Sequence, residues 1–223
     1  MGEALTLVGI EVPRSPQLRG RGEHASSGEW HVAGHRLLER TVVAMTTIAG
    51  PQGLSLISGE PDQAVFDLVR RYGAAEGDLM TWIHGVTTRA REASRDDVVV
   101  FMRSDMVLRD YAVVKKAVEV IRALPDIHRV EAAYRPRRQP LERAFTVEIG
   151  RDGTMVEERL SLPKGELGMA CPAFEAHRLS NFNLGSLQAP ALSGAAFLWI
   201  DEEDFVVLET PLDYLRAELL LRA

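Results

Sequence analysis

The sequence predicts an α/β fold whose sheet is parallel in its first half and mixed in its second. Three observations carry this. Short apolar runs bounded by turn residues, such as Leu5-Thr6-Leu7-Val8-Gly9-Ile10-Glu11-Val12 before Pro13, read as strands buried on both faces. In the first 125 residues such runs alternate with segments at helical spacing, the pattern of a parallel sheet with crossover helices. Beyond that point the strand-like runs are separated by a Gly- and Pro-rich stretch.

The first strand is the run over residues 5–12. Residues 13–34 carry Pro, Gly, Ser and charge with no sustained period and read as a long loop, of a length that is usually functional or disordered. From His35 to Ile48 the residues Leu37, Leu38, Val42 and Met45 recur at helical spacing. Leu54-Ser55-Leu56-Ile57-Ser58 reads as the second strand, and Asp62 to Tyr72 as a helix stopped by Gly73. Asp78 to Ser94 reads as a third helix and Asp97 to Met102 as a third strand. Tyr111 to Leu124 sets Val114, Ala117, Val118 and Ile121 on one face of a fourth helix.

In the second half, Arg129 to Tyr134, Ala144 to Ile149 and Ala195 to Ile200 read as strands. The stretch from Leu162 to Pro190 reads as an arm or lid. Phe205-Val206-Val207-Leu208 is a last strand, and Pro211 opens a final helix, where its missing N–H costs nothing.

Composition excludes several classes. The length of 223 residues fits one domain, 1–223, able to bury a sizeable core. A net charge of −6 argues against a general nucleic-acid binder, which needs an excess of Lys and Arg. The single Cys171 cannot form an internal disulfide, and no zinc-type Cys/His spacing occurs. The start, Met1-Gly2-Glu3-Ala4, lacks a signal-peptide pattern, and no run reaches the roughly 18 apolar residues of a membrane span. The expectation is a cytoplasmic protein with no membrane partner.

One position is a functional candidate before any family is considered. Val98-Val99-Val100-Phe101-Met102 runs directly into Arg103-Ser104-Asp105. An ionised carboxylate at the end of a buried strand is costly unless paired, and open α/β sheets bind ligands outside the carboxyl ends of their strands.

Five segments then carry a resemblance. They are Val32-Ala33-Gly34-His35-Arg36-Leu37-Leu38-Glu39-Arg40-Thr41; Leu56-Ile57-Ser58-Gly59-Glu60-Pro61-Asp62; Arg70-Arg71-Tyr72-Gly73-Ala74; Leu192-Ser193-Gly194-Ala195-Ala196-Phe197; and Glu209-Thr210-Pro211-Leu212-Asp213. In order and spacing they resemble the cytidylyltransferases that activate acidic sugars: CMP-Kdo synthetases, CMP-sialic acid synthetases and spore-coat polysaccharide cytidylyltransferases. The resemblance spans nearly the whole chain. It implies a three-layer α/β sandwich with a mainly parallel mixed central sheet, the nucleotide-diphospho-sugar transferase (GT-A-like) fold. It also implies a nucleotide-binding half over residues 1–125 and an acceptor-binding half over 126–223, with the arm or lid at about 162–190.

The reaction implied joins a small anionic acceptor, such as a sugar acid, phosphonate or sugar phosphate, to the α-phosphorus of CTP with release of pyrophosphate. Such transfer needs positioning and charge neutralisation, commonly by a basic loop and Mg2+. Asp105 and Glu209 fall at the family's metal positions. Arg14 and Arg19 keep the spacing of its phosphate loop and, with Asp105, are the expected catalytic residues; Arg14, Arg19, Arg21, Gly22 and Ser58 are the expected nucleotide contacts. Arg103 and Arg109 flank Asp105 and are expected either to fork an acceptor anion or to serve as partners of Asp105. Arg135, Arg137 and Arg138 form a second basic group, of which Arg138 is the expected acceptor contact. A homodimer is implied as well.

Two positions depart from the family. Glu23 stands where the phosphate loop carries Lys, and Val207 where many relatives carry an Asp before the last metal ligand. They motivate an alternative reading, a non-catalytic nucleotide-binding or regulatory descendant of the fold. No Walker loop, Rossmann fingerprint or Gly-x-Ser-x-Gly elbow is present.

Overall fold

The computed structural model describes residues 4–12, 31–50, 53–59, 63–134, 146–149, 155–158, 166–183, 185, 194–208 and 211–222. In chain order the elements are β1 (Thr6–Glu11), β2 (His31–Val32), β3 (His35–Arg36), α1 (Leu37–Ala49), β4 (Leu54–Ile57), α2 (Gln63–Tyr72), β5 (Ala75–Gly77), α3 (Leu79–Ala90), β6 (Val98–Arg103), β7 (Met106–Leu108) and α4 (Ala112–Ala123). There follow β8 (Arg129–Tyr134), β9 (Thr146–Ile149), β10 (Met155–Glu158), β11 (Glu166–Arg178), β12 (Ala195–Ile200), β13 (Phe205–Val207) and α5 (Pro211–Arg222).

Seven strands form the central sheet in the order β5-β4-β1-β6-β11-β8-β12. Six run in one direction; β11 alone runs against its neighbours β6 and β8. The strands β9 and β10 extend the sheet beside the first part of β11. The mainly parallel mixed sheet predicted from sequence is therefore the observed one.

Strand alternation decides which helix covers which face. In β1 and β6, Val8, Ile10, Val98, Val100 and Met102 point into the large core with α1, α2 and α4. The intervening Leu7, Val99 and Phe101 meet Trp82, Ile83 and Val86 of α3 on the opposite face. A third cluster, containing Val107, Val206, Ala217 and Leu220, docks α5 on the small β7–β13 sheet. No helix among the described residues is long and apolar enough to cross a membrane.

Gly9 marks where the α3 layer comes closest. A Cβ at this position would lie 2.5 Å from Trp82 Cε2 and 2.9 Å from Ile57 Cδ1, so the ring rests directly on the strand backbone. Gly9→Ala forces that ring outward. The expected cost is about 1–3 kcal/mol, the usual range for overpacking, read as a lower urea midpoint with an unchanged m-value; an unchanged midpoint would remove the role assigned to Gly9.

Three sequence expectations need correction. His35 and Arg36 do not begin the first helix, because they pair back on His31 and Val32 as a short hairpin. A strand, β7, follows the Asp105 turn where the sequence predicts no element, and it gains its partner from β13 some hundred residues later in the chain. The arm or lid expected at about 162–190 is in part a strand of the central sheet, since Glu166–Arg178 forms β11. Pro172, inside this Gly- and Pro-rich stretch, lies where the β8–β11 register shifts between Cys171 and Glu175, an irregularity at which Pro is tolerated.

A candidate nucleotide-transfer site at the strand ends

Parallel strands place their carboxyl ends along one edge, and here β1, β4 and β6 end together. Val12 N–H donates to Ile57 O (2.8 Å), Ser58 N–H to Gly77 O (3.0 Å) and Ser104 N–H to Glu11 O (2.8 Å). Asp105 follows at the turn out of β6, 4 % exposed. Its own carbonyl accepts from Leu208 N–H (3.0 Å), so the last strand ends against it.

The Asp105 carboxylate is held by a fork. Arg103 Nε donates to Oδ1 (3.0 Å) and Nη2 to Oδ2 (2.7 Å). Of the two roles sequence left open for Arg103, the observed one is partner of Asp105. Arg109 is not drawn to Asp105: its Nη1 lies 3.1 Å from Asp204 Oδ1, and its backbone N–H donates to Asp204 O (2.8 Å).

Glu11 is a site residue that sequence reasoning did not single out. It pairs in register with Arg103 across β1 and β6, on the same face. Burial pushes its carboxyl above the usual range; the Arg103 guanidinium opposes this and the nearby Asp105 charge adds to it. The available signal was a lone acid closing an apolar run just before Pro13.

The exit from this turn is anchored by α1. Arg40 donates from Nη1 to Leu108 O (2.6 Å) and from Nη2 to Arg109 O (2.7 Å), with its guanidinium 4.9 Å from the centre of the Tyr111 ring. Thr41 Oγ1 and Tyr111 Oη are 2.7 Å apart. Next to them Glu39 pairs with Arg71 and accepts from Tyr72 Oη (3.3 Å). Two of the segments that carry the resemblance, at residues 32–41 and 70–74, therefore meet in space. Their charged residues brace the scaffold.

Beyond β7 lies an open groove of about 760 Å3, lined among others by Arg109, Lys116, Trp199, Asp201 and Asp204. Its volume suits a small molecule. Leu108 on its wall is three residues from Asp105, roughly 10 Å along a strand.

Of the other expected residues, Ser58 stands at the end of β4, half-buried, on the same edge as Asp105. Arg14, Arg19, Arg21, Gly22, Glu23, Arg135, Arg137, Arg138 and Glu209 lie outside the described residues. Trp82 is a core aromatic, and His84 is exposed on α3. Cys171 is buried, and burial pushes its thiol up to about 12, which keeps it protonated and unreactive.

The donor set at Asp105 fits a hard cation. It offers oxygen ligands at a strand end with the Glu11 carboxylate nearby, and Arg103 holds both of its oxygens, so a cation would have to displace or share that fork. Among the described residues no group of three or more His, Cys, Asp or Glu is placed to hold a metal ion. One or two protein carboxylates are nevertheless enough for Mg2+, which takes its remaining ligands from phosphate and water.

A second ionic cluster joins β8 to β11. Arg129 pairs with Glu131 and lies 3.2 Å, Nη2 to Oε2, from Glu175, which His177 Nε2 approaches to 3.1 Å. Burial raises the Glu131 carboxyl to about 7 against the opposing pull of Arg129, and burial lowers the His177 imidazole. The signs differ. The unfolded chain ionises Glu131 first, so its contribution favours folding below about pH 4.5 and is lost as pH rises toward 7, by at most about 3 kcal/mol. His177 is protonated first in the unfolded chain, so its contribution is lost as pH falls below 6.5. In Glu131→Gln this cluster keeps the His177 slope alone, and the melting temperature is expected to rise from pH 5 to pH 7 relative to the parent. Parallel pH profiles for the two proteins would contradict this.

The strand order with its single reversed strand, helices on both faces and an acidic turn after the fourth parallel strand define a nucleotide-diphospho-sugar transferase (GT-A-like) fold. Solved structures agree. The chain matches a CMP:2-keto-3-deoxy-manno-octonic acid synthetase complexed with CTP at TM-score 0.67 and 12 % identity, over 99 % of this chain and 100 % of that one. It matches the CTP:phosphocholine cytidylyltransferase from Streptococcus pneumoniae at 0.62 and 11 %, over 97 % and 99 %. The inositol-1-phosphate CTP transferase from T. maritima follows at 0.57 and 8 %, over 98 % and 97 %. No protein-family model matches the sequence, and no curated protein does. The chain thus shares the fold of these nucleotidyltransferases.

Proposed function

We propose that the protein is a nucleotidyltransferase that transfers CMP from CTP to a small anionic acceptor and releases pyrophosphate. The observation that carries this reading is Asp105, buried at the end of β6 on the edge where β1, β4 and β6 end together. Whole-length likeness to solved enzymes whose names specify CTP supports it.

In this reading an acceptor oxygen attacks the α-phosphorus, a new P–O bond forms, and the bond to the β-phosphate oxygen breaks as pyrophosphate leaves. Asp105 and Glu209 would hold Mg2+, which when bound neutralises the charge building on the phosphates. Arg14, Arg19, Arg21 and Gly22 would receive the triphosphate, and Ser58 would contact the nucleotide at the end of β4. Arg109 and Arg138 would supply positive charge to the acceptor, with the groove beside Arg109 and Lys116 offering it room, whereas Arg103, also expected there, holds Asp105. Catalysis of this kind rests on holding the reactants in line. We take the working form to be a cytoplasmic homodimer, which light scattering would test.

Calorimetric titration with each nucleoside triphosphate in the presence of Mg2+, followed by pyrophosphate release across sugar acids, phosphonates and sugar phosphates, tests the reading. CTP-selective binding and release with one acceptor class is the expected result. No binding of CTP would overturn it. Nucleotide binding without release would favour the alternative, a non-catalytic descendant, to which Val207 and the Arg103 fork over Asp105 lend weight.

A further inference from the structure

The Asp105 turn carries a feature that the fold does not require. Arg103 and Asp105 are two residues apart, and the guanidinium occupies both carboxylate oxygens. The two partners differ in freedom. The Asp105 side chain is 6 % exposed and that of Arg103 40 %. The backbone around Asp105 is pinned from both sides, by Ser104 N–H on Glu11 O and by Leu208 N–H on Asp105 O. The carboxylate is therefore fixed, while the cation stands at the solvent edge on a long side chain.

We propose that Arg103 is the resident counter-ion of Asp105 and competes with the divalent cation for it, so that metal binds well only together with nucleotide phosphate. The proposal takes the identity of the arriving ligand from the nucleotidyl-transfer reading; the competition itself rests on geometry. A buried carboxylate left without a counter-charge is destabilising, and Arg103 provides that charge. A hard cation binds through the same carboxylate, and two cations about 4 Å apart repel each other. Phosphate accepts a forked guanidinium as carboxylate does, so the nucleotide offers Arg103 a new partner when the metal takes its place. By linkage, metal and nucleotide then raise each other's affinity.

Mn2+ titration without nucleotide, followed by the electron paramagnetic resonance signal of the free ion, tests this on the full chain. Arg103→Met keeps the apolar stem and removes the charge. It is expected to bind Mn2+ about tenfold tighter or more than the parent, the scale of a lost charge-assisted pair. Arg103→Lys, a point charge that cannot fork, falls between the two. Adding Asp105→Asn to Arg103→Met abolishes the gain.

Equal or weaker Mn2+ binding by Arg103→Met overturns the proposal, as does a gain that survives Asp105→Asn. Circular dichroism checks that each variant is folded; if Arg103→Met is not, Arg103→Lys carries the same comparison, and no gain there is a refutation. Titration of the parent with CTP separates the two readings. If CTP does not bind but the Mn2+ gain appears, the counter-ion assignment stands and the CTP assignment falls.

Discussion

Asp105→Ala is expected to lower kcat/KM for pyrophosphate release by about 10²–10³, the scale on which one preorganised electrostatic group contributes to such a reaction. The melting temperature is expected to shift by no more than a few degrees. The two readouts separate because of where the charges lie. Ala removes the buried carboxylate together with the cost of holding it, while Arg103 is partly exposed and keeps the Glu11 carboxylate nearby when Asp105 goes. The backbone bonds that hold the turn, from Ser104 N–H and from Leu208 N–H, do not involve the side chain. Normal turnover in this variant would remove Asp105 from the mechanism. A collapse of the melting transition would instead assign it to the scaffold.

Arg178→Met is expected to destabilise the fold by about 3 kcal/mol or more, among the larger effects of a single substitution. Arg178 ends β11 and is 3 % exposed. Its guanidinium donates to Arg95 O, to Ile121 O in the last turn of α4, and to Leu124 O (3.0 Å) and Ile127 O (3.1 Å) beyond it. Helix ends leave their last carbonyls without intrahelical donors, and this side chain satisfies the end of α4 and the connection to β8. Removing it takes the donor from two buried acceptors, Ile121 O and Ile127 O, at about 1–3 kcal/mol each where water cannot enter, while Leu124 O keeps the Ile127 N–H. Arg178→Lys keeps a charge but loses the fork, so it should recover part of the loss. Urea unfolding gives the measurement; a loss below about 1 kcal/mol for Met would show that water replaces the guanidinium.

The elements that sequence predicted well share one property: their signal is local. The residues Leu7 to Ile10, Leu54 to Ile57 and Val98 to Met102 form apolar runs, and Val114, Ala117, Val118 and Ile121 repeat at helical spacing. Each fell in the element expected. The elements not foreseen have signals that depend on distant partners. In β11 the polar residues Glu175 and His177 break the apolar pattern, and Arg129, on the neighbouring strand, neutralises Glu175. In β7 three residues become a strand only because Phe205–Val207 pair with them.

The site divides along the same line. Asp105 was legible, because a carboxylate directly after an apolar run is costly to bury and stands at the strand end where such sheets bind ligands. Glu11 was not, because nothing in its own segment shows that the register of β1 and β6 sets it opposite Arg103.

By itself the sequence determined the class of fold, the types of most elements and the acidic turn, since period and composition act over a few residues. Only the tertiary structure decided that Arg103 rather than Arg109 holds Asp105, that Arg109 turns to Asp204, and that β11 runs through the middle of the sheet. The reason is geometric. A pairing of charges depends on distances of a few ångströms, and strand register and the layering of helices set those distances between residues far apart in the chain.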